Sequence, residues 1–468
     1  MTGIEGVEGL FNHWKKLLSA ITMLSLLFSV GCSFIKPGEN SIEGDIHILW
    51  DEDLSGLSAD KYAIDALKEK YPKAEFKMHK YNVPLYGMTD TFPLKLYDFP
   101  QKEFVSDLIM FESTSAPFLL ESGYLEPLDD YLAANPDLLT ALSSGSVESL
   151  RSLSSDNHIY GLPLGRNVYG LYYNRAMFRD HQIPFPTDGM TWTEVLALAD
   201  QFGDYISGNK DLSIDVSDYL LITSQLGVNI TDPDTGHIQV DGPGFEKIFG
   251  FLEQLGNVKG NGNITNYLWA HYDRFGFNHM AMLAGRFMGS KYYYPDFQKF
   301  RDDEVDWDVV SFPTFEDQPD VGPAPAYYYL GIPKYSNRKG QAFDIISYLL
   351  SDEIQKKNST LGLASALMDP KVNQYFGSDM KILLGKNTQA FFHLANEARA
   401  DRDNDFNFRV IFSRIFRSYY WDKELFNEQH VLNKVYFQQQ KEELTKLLEL
   451  RRKEAMKKDR LGEDFLDK

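Results

Sequence analysis

Apolar residues recur along this chain in two rhythms, short continuous runs that end in polar residues and stretches spaced by threes and fours. Ile46 to Trp50 is such a run, emptying into Asp51, Glu52 and Asp53, which suits a buried strand followed by a polar loop. Ala63, Ile64, Leu67 and Tyr71 then recur at helical spacing before Pro72, and Ala74 to Met78 predicts a second strand, so the chain opens as a βαβ unit. Leu108 to Phe111 repeats the strand pattern, with a helix predicted over Ala116 to Glu121 and stopping at Gly123. This part is α/β with open-sheet character. His158 to Pro163 is rich in turn residues, and Tyr169 to Tyr173 predicts a strand entering a second lobe.

Thr191-Trp192-Thr193-Glu194 is a capping box, flanked by Met190 and Val195 as a hydrophobic staple, and predicts a helix to about Phe202. Asp232 to Gly236 reads as a turn, Phe245 to Leu255 as a helix, Asp306 to Val310 and Tyr329 to Ile332 as strands. Ala342, Ile345, Ile346 and Leu349 line a further helix, and from Val431 the pattern is mostly helical. No internal repeat is visible.

The N-terminus changes the picture. Lys15 and Lys16 precede an apolar run from Leu17 to Val30, then Gly31 and the only cysteine, Cys32. This is the layout of a secretory signal, and its about 14 residues fall short of the roughly 20 that span a bilayer as a helix. Phe28-Ser29-Val30-Gly31-Cys32 resembles the bacterial lipobox, whose cysteine becomes the first mature residue and takes a diacylglyceryl group; Ser29 stands where that pattern usually has Leu. The alternative is an ordinary signal peptide with an incidental cysteine. The expectation is a signal over 1–31, lipidation at Cys32 and a tether over 32–43.

Composition narrows the partners. The 468 residues include 43% hydrophobic and 24% charged side chains, a globular balance with room for several domains. Lys and Arg number 47 against 67 Asp and Glu, a net charge of −20, which repels a phosphate backbone, so nucleic acid is not an expected partner. Aromatic residues make up 14%, enough to fill cores and leave rings for stacking on a ligand.

Specific catalytic motifs are missing: there is no HExxH, GxSxG, GxxxxGK or GxGxxG after a strand. Asp232 and Asp234 mimic the start of a calcium loop, yet Gly236 takes the third ligand position. His271 and His279 are wrongly spaced for one helical face, and Asp129 with Asp130 is an adjacency expected by chance among so many acids. No cofactor or metal is expected. What stands out is a set of polar and aromatic residues just after predicted strands, where open α/β sheets bind ligands: Asp51 and Glu52; Phe111, Glu112 and Ser113; Arg166 and Asn167; Arg286 and Phe287; Tyr327 and Tyr328. Their types suit a sugar, with carboxylates, amides and an Arg fork for hydroxyls and rings for its C–H faces.

Several segments together carry a family resemblance. Asp107-Leu108-Ile109, Gly123 to Asp130, Tyr160-Gly161-Leu162-Pro163 and Leu171-Tyr172-Tyr173-Asn174-Arg175 come in order, followed by Ile183-Pro184 and the capping box. Phe277 to Met282, Asp306 to Pro313, Gly331-Ile332-Pro333-Lys334 and Tyr348-Leu349-Leu350 continue the series. In this order they resemble the extracellular solute-binding proteins of bacterial carbohydrate ABC importers, family 1, maltose-binding-protein-like, from about Asp45 to Asp369.

The resemblance implies a two-lobed periplasmic-binding-protein type II fold with a hinge crossed three times, near Pro163 to Val168, Ser311 to Phe315 and Leu350 to Gln355. One lobe would comprise 44–163 and 312–350, the other 164–311 and 355–468, with the ligand between them. It gives Phe287 the place of a ring that stacks on sugar, Asn167 that of a polar hinge residue and Phe111 to Ser113 that of a first-lobe ligand loop, while uncharged Asn167 and Arg286 depart from the usual pattern. The expected protein is a monomeric, non-enzymatic, lipid-anchored binder on the extracytoplasmic face of the cell membrane, handing a carbohydrate to ABC permease subunits. A surface polysaccharide hydrolase and a sugar-sensing binder without transport are the alternatives.

Overall fold

The structure is a computed structural model and describes residues 42–51, 63–81, 105–113, 116–121, 123–152, 154, 156–206, 212–216, 220–228, 243–261, 275–276, 278–287, 305–394 and 396–397. The chain divides into two units, Met1–Ile42 and Glu43–Lys468, and every element below belongs to the second. The signal segment, Cys32, Glu52, the Asp232 to Gly236 turn, His271 and the helix expected after Val431 lie outside the described residues.

The opening βαβ unit forms as its pattern predicts. Strand β1 (Gly44–Asp51) runs parallel to β2 (Ala74–Tyr81), with Ile46 opposite Phe76, and α1 (Asp65–Lys70) connects them. Helix α1 buries Ala66 and Leu67 and carries Lys68 and Lys70 in its last turn, where they suit the negative end of the helix dipole. Strand β3 (Leu108–Glu112) joins β1 on its other side, also parallel and wholly buried. Helices α2 (Ala116–Glu121), α3 (Asp129–Ala134), α4 (Pro136–Ala141) and α5 (Ser144–Ser152) lead to β4 (Leu162–Arg166).

After β4 the chain changes sheets. Strand β5 (Tyr169–Asn174) begins a second sheet, followed by α6 (Arg175–Asp180), α7 (Trp192–Asp200), β6 (Leu212–Val216), α8 (Leu220–Leu226), α9 (Pro243–Asn257), β7 (Met280–Arg286) and β8 (Trp307–Ser311). The Asn174 side chain caps α6 by accepting from the Met177 N–H. The capping box on α7 is complete: the Thr191 hydroxyl accepts from the Glu194 N–H at 3.3 Å, and the Glu194 carboxylate accepts from the Thr191 N–H at 2.8 Å. Such caps stabilise a helix by about 1 kcal/mol. Helix α9 buries Phe245, Ile248, Phe251, Leu252 and Leu255, the stripe its spacing predicts.

Strand β9 (Val321–Gly322) precedes β10 (Tyr327–Gly331), which returns to the first sheet; α10 (Lys339–Leu349), α11 (Asp352–Thr360) and β11 (Asn396–Glu397), paired with β9, follow. Among the described residues the first sheet has the order β2-β1-β3-β10-β4 and the second β6-β7-β5-β8. Strand β10 is antiparallel to both β3 and β4, and β5 is antiparallel to both β7 and β8. No described helix is long and apolar enough to cross a membrane.

The passages between the sheets have specific fastenings. The first is Asn167 and Val168, whose main chain bonds Ala326 and Phe287. The second lies later than expected from the sequence: Phe312 still belongs to the second core, and the Gln225 amide donates to the carbonyls of both Pro313 and Val321. The chain therefore stays with the second lobe through Val321, and the Tyr169 hydroxyl, between the Ala324 carbonyl and the Ala326 N–H at 3.3 Å each, secures the crossing itself. At the third passage the buried Gln355 amide donates to the carbonyls of Leu164 and Leu349 and accepts from the Ser365 hydroxyl. The following segment returns to the second lobe, where Ala364, Phe376, Leu383 and Phe391 pack with Tyr172 in a cluster distinct from that of Phe312.

Candidate functional site

Strand pairing brings the chemistry together. In the β3–β10 ladder Glu112 lies opposite Tyr328 and Phe111 opposite Tyr329. Opposed residues share a face and successive residues alternate, so Glu112 and Tyr328 project to one side of the sheet while Phe111, Tyr327 and Tyr329 project to the other. On that other side the Phe111 and Tyr329 rings lie 5.5 Å apart, and the Tyr329 hydroxyl bonds the Ser149 hydroxyl of α5. Tyr327 packs beside Tyr329 at 6.0 Å.

Glu112, at the C-terminal end of β3, faces the second lobe. Its Oε1 lies 3.3 Å from Nη1 of Arg286, the last residue of β7, so one ion pair joins the strand ends of the two sheets. Both side chains are largely withdrawn from water, at 11% and 29% exposure. Asn167, on the first passage, sits beside them: its Nδ2 lies 3.5 Å from Glu112 Oε1, a long donor contact, while its Oδ1 accepts from the Tyr328 hydroxyl at 2.5 Å. The orientation of that amide follows from its partners, since its oxygen would be repelled by the carboxylate. Burial pushes the Tyr328 phenol far above the ordinary tyrosine range, Glu112 adds to the effect and Arg286 opposes it, so the hydroxyl stays protonated and donating.

The remaining expected site residues are placed differently. The Phe287 ring meets Phe376 at 5.1 Å and Phe391 at 5.4 Å, both edge-on, within the second-lobe cluster. Phe111 is fully buried, and Tyr327 is buried beneath α5. The Arg166 guanidinium carbon lies 6.0 Å from the Phe392 ring, while its main chain bridges Ala364. Ser113 donates its N–H to the Tyr327 carbonyl, and Asp51 ends β1 on the strand edge next to β3. Each neighbouring pair is thus divided: Glu112, Asn167, Arg286 and Tyr328 converge, whereas Phe111, Arg166, Phe287 and Tyr327 pack elsewhere. Gln355, at the end of the third expected crossing, and Tyr169, at the start of an expected strand, fasten two of the passages, a role that neither position signals in the sequence.

Among the described residues no group of three or more His, Cys, Asp or Glu is arranged to hold a metal ion. The cluster can instead offer hydrogen bonds between two lobes. The sequence profile of the bacterial extracellular solute-binding proteins matches residues 97–369, more than half of the chain.

The chain belongs to that family.

Solved structures agree on the architecture of this solute-binding protein. An ABC substrate-binding protein from Listeria monocytogenes in complex with cycloalternan is 15% identical, with a TM-score of 0.62 over 87% of this chain and 99% of that one. UgpB from Mycobacterium tuberculosis in complex with glycerophosphocholine is 14% identical, with a TM-score of 0.62 over 88% of this chain and 100% of that one. Maltose-bound T. maritima MalE3 is 16% identical, with a TM-score of 0.56 over 86% and 100%. No match was found among curated proteins. These likenesses show the fold, the two-lobed type II periplasmic-binding-protein architecture that the motifs imply.

Proposed function

We propose that this solute-binding protein captures a carbohydrate, an oligosaccharide in particular, and delivers it to the permease subunits of an ABC importer. The observation that carries the reading is the Glu112, Asn167, Arg286 and Tyr328 cluster, which sets a carboxylate, an amide, a guanidinium and a phenol at the junction of the two lobes. Each bonds hydroxyls, and contacts from both lobes favour a closed form over an open one. Relatives of this fold hold cycloalternan and maltose, which supports a sugar, and one holds glycerophosphocholine, which makes the ligand screen necessary.

Binding without turnover fits the cluster. A glycoside hydrolase uses two carboxyl groups roughly 5–9.5 Å apart across the bond, and Glu112 is the one carboxylate of this cluster, already paired with Arg286. In this reading the protein works at the extracytoplasmic face as a monomer, held by lipid on Cys32, the lone cysteine after the apolar run. The test is a thermal-shift screen against mono- and oligosaccharides followed by calorimetry. A bound sugar should raise the melting temperature by mass action and be recovered unchanged, and Glu112→Gln should weaken it roughly tenfold to a hundredfold. Shortened or rearranged sugar would promote the hydrolase reading instead. Cells fed a labelled fatty acid should label wild type and not Cys32→Ala; equal membrane association of the two removes the anchor.

A further inference from the structure

We infer that Trp50 is a ligand-contacting residue whose indole N–H donates to an oxygen of the bound solute; this rests on the carbohydrate reading above and adds to it a donor of fixed position. Trp50 is the next-to-last residue of β1, at the carboxyl end of the strand, where open α/β sheets receive ligands. It pairs with Met110 of β3, and Met110 pairs in turn with Leu330 of β10. Glu112 and Tyr328, opposite each other, stand one same-face step beyond that row. Side chains alternate along a strand, so Trp50, Glu112 and Tyr328 belong to one face of the first sheet, and strand spacing and rise set Trp50 and Glu112 about 8 Å apart at Cα.

What marks Trp50 out is its nitrogen. The side chain is withdrawn from water, at 9% exposure, and among the described residues its Nε1 meets no hydrogen-bond acceptor. An indole N–H is a donor only, and a buried donor left unmade carries the full penalty of its desolvation. Native interiors leave few such groups. The other buried side chains without a partner among the described residues, Thr314, Asn358 and Ser359, lie between β8 and β9 and on α11; Trp50 is the one on the sheet face that carries Glu112 and Tyr328. That face meets the second lobe, as Glu112 approaches Arg286 at 3.3 Å. Separation of the lobes uncovers it, and a solute seated there brings the acceptor that the strand neighbours do not supply. Hydroxyl, ring and glycosidic oxygens of a sugar all accept from an N–H, and the flat apolar ring beside the nitrogen suits the C–H faces.

The experiment labels the six tryptophans of the full chain with 15N and follows their indole N–H resonances. The Trp50 signal is assigned by its loss in Trp50→Phe, or through contacts with its strand neighbour Met110 if that variant fails to fold. Trp192, whose indole donates to Gln225 at 3.1 Å, is the internal reference for a bonded, buried N–H and is assigned through its contacts with Phe251 and Phe312. Glucose, galactose, maltose, maltotriose and glycerophosphocholine are added in turn, with calorimetry on wild type and Trp50→Phe for each compound that binds. A bound sugar should move the Trp50 signal downfield, as a donor gaining an acceptor, and leave that of Trp192 in place. Trp50→Phe, which keeps a ring and loses the N–H, should bind the same sugar roughly three- to tenfold more weakly. A sugar that binds while the Trp50 signal stays put, or that Trp50→Phe binds as tightly as wild type, overturns the donor and leaves the carbohydrate reading standing. If glycerophosphocholine alone binds, the carbohydrate reading falls, and the same two measurements on that compound decide the donor. If nothing binds, the spectrum before any addition decides it: a Trp50 signal upfield of Trp192 supports the unpartnered N–H, and one at the bonded position, or in magnetic contact with bound water, overturns it.

Discussion

Phe287 separates two accounts of the cleft. The family resemblance gives it the place of a ring that stacks on sugar, whereas the structure packs it against Phe376 and Phe391 with 8% exposure. Truncating a packed phenylalanine to alanine costs about 3–5 kcal/mol, made up of lost transfer energy and the cavity left behind. The two edge-on ring contacts, at 5.1 and 5.4 Å, account for about 0.5–1.5 kcal/mol each. The surroundings cannot collapse easily into the gap. One wall is the main chain at Gly362, with φ +93°, where a Cβ would stand only 3.0 Å from Phe287 Cε1. The upper part of that range is therefore expected for Phe287→Ala. Urea melts of the ligand-free protein should show an earlier midpoint with an unchanged slope, since the amount of surface exposed on unfolding hardly alters. Calorimetry on whatever fraction stays folded should show affinity within about threefold of wild type, under the roughly 1.4 kcal/mol that marks a tenfold change. A variant that melts like wild type and loses tenfold or more in affinity refutes the packing argument and returns the ring to the ligand.

Three further outcomes are expected. Asn358, 1% exposed on α11, has neither amide atom partnered, so Asn358→Leu should leave stability unchanged or raise it by about 1–2 kcal/mol in a denaturant melt; a loss above about 1 kcal/mol would show that the amide holds buried water. A Cβ on Gly165 would fall 2.6 Å from Leu363 Cγ and 2.9 Å from the Ala364 carbonyl, so Gly165→Val should overpack the third passage and cost about 1–3 kcal/mol, read as a lowered midpoint; a wild-type melt would contradict that close approach. The Tyr160 phenol is pushed up to about 12, chiefly by donating its hydrogen bond to Asp156, with burial adding to the effect. Because the folded value lies above the unfolded one, this stabilisation is full below about pH 10 and is lost as pH rises towards 12. Tyr160→Phe should therefore melt with a weaker dependence on alkaline pH, and an identical pH profile in both proteins would remove the Asp156 bond as the cause.

The local structure was legible because its causes are local. Ile46 to Trp50, Leu108 to Phe111 and Tyr169 to Tyr173 became strands, and Thr191 with Glu194 capped a helix, since periodicity and capping depend on residues within a few positions of each other. The order of the motifs likewise carried the family and its two-lobed fold. The second passage was less legible: Pro313 reads as a strand end, yet Gln225, far away in sequence, holds Pro313 and Val321 to the second lobe.

The amino-acid sequence by itself determined which kinds of residue reach the strand ends. It could not say which of two neighbours faces the cleft. Phe111 and Glu112, Tyr327 and Tyr328, Arg286 and Phe287 are each adjacent, and an extended chain sends adjacent side chains in opposite directions. Pairing Glu112 with Tyr328 turned both to the cleft side and sent Phe111 and Tyr329 to the opposite face, where Tyr329 meets α5. Docking of the second lobe then set Arg286 against Glu112, while the segment carrying Phe376 and Phe391 enclosed Phe287. Only tertiary structure decides these choices, because the alternation is local but its phase is set by register with strands more than a hundred residues away.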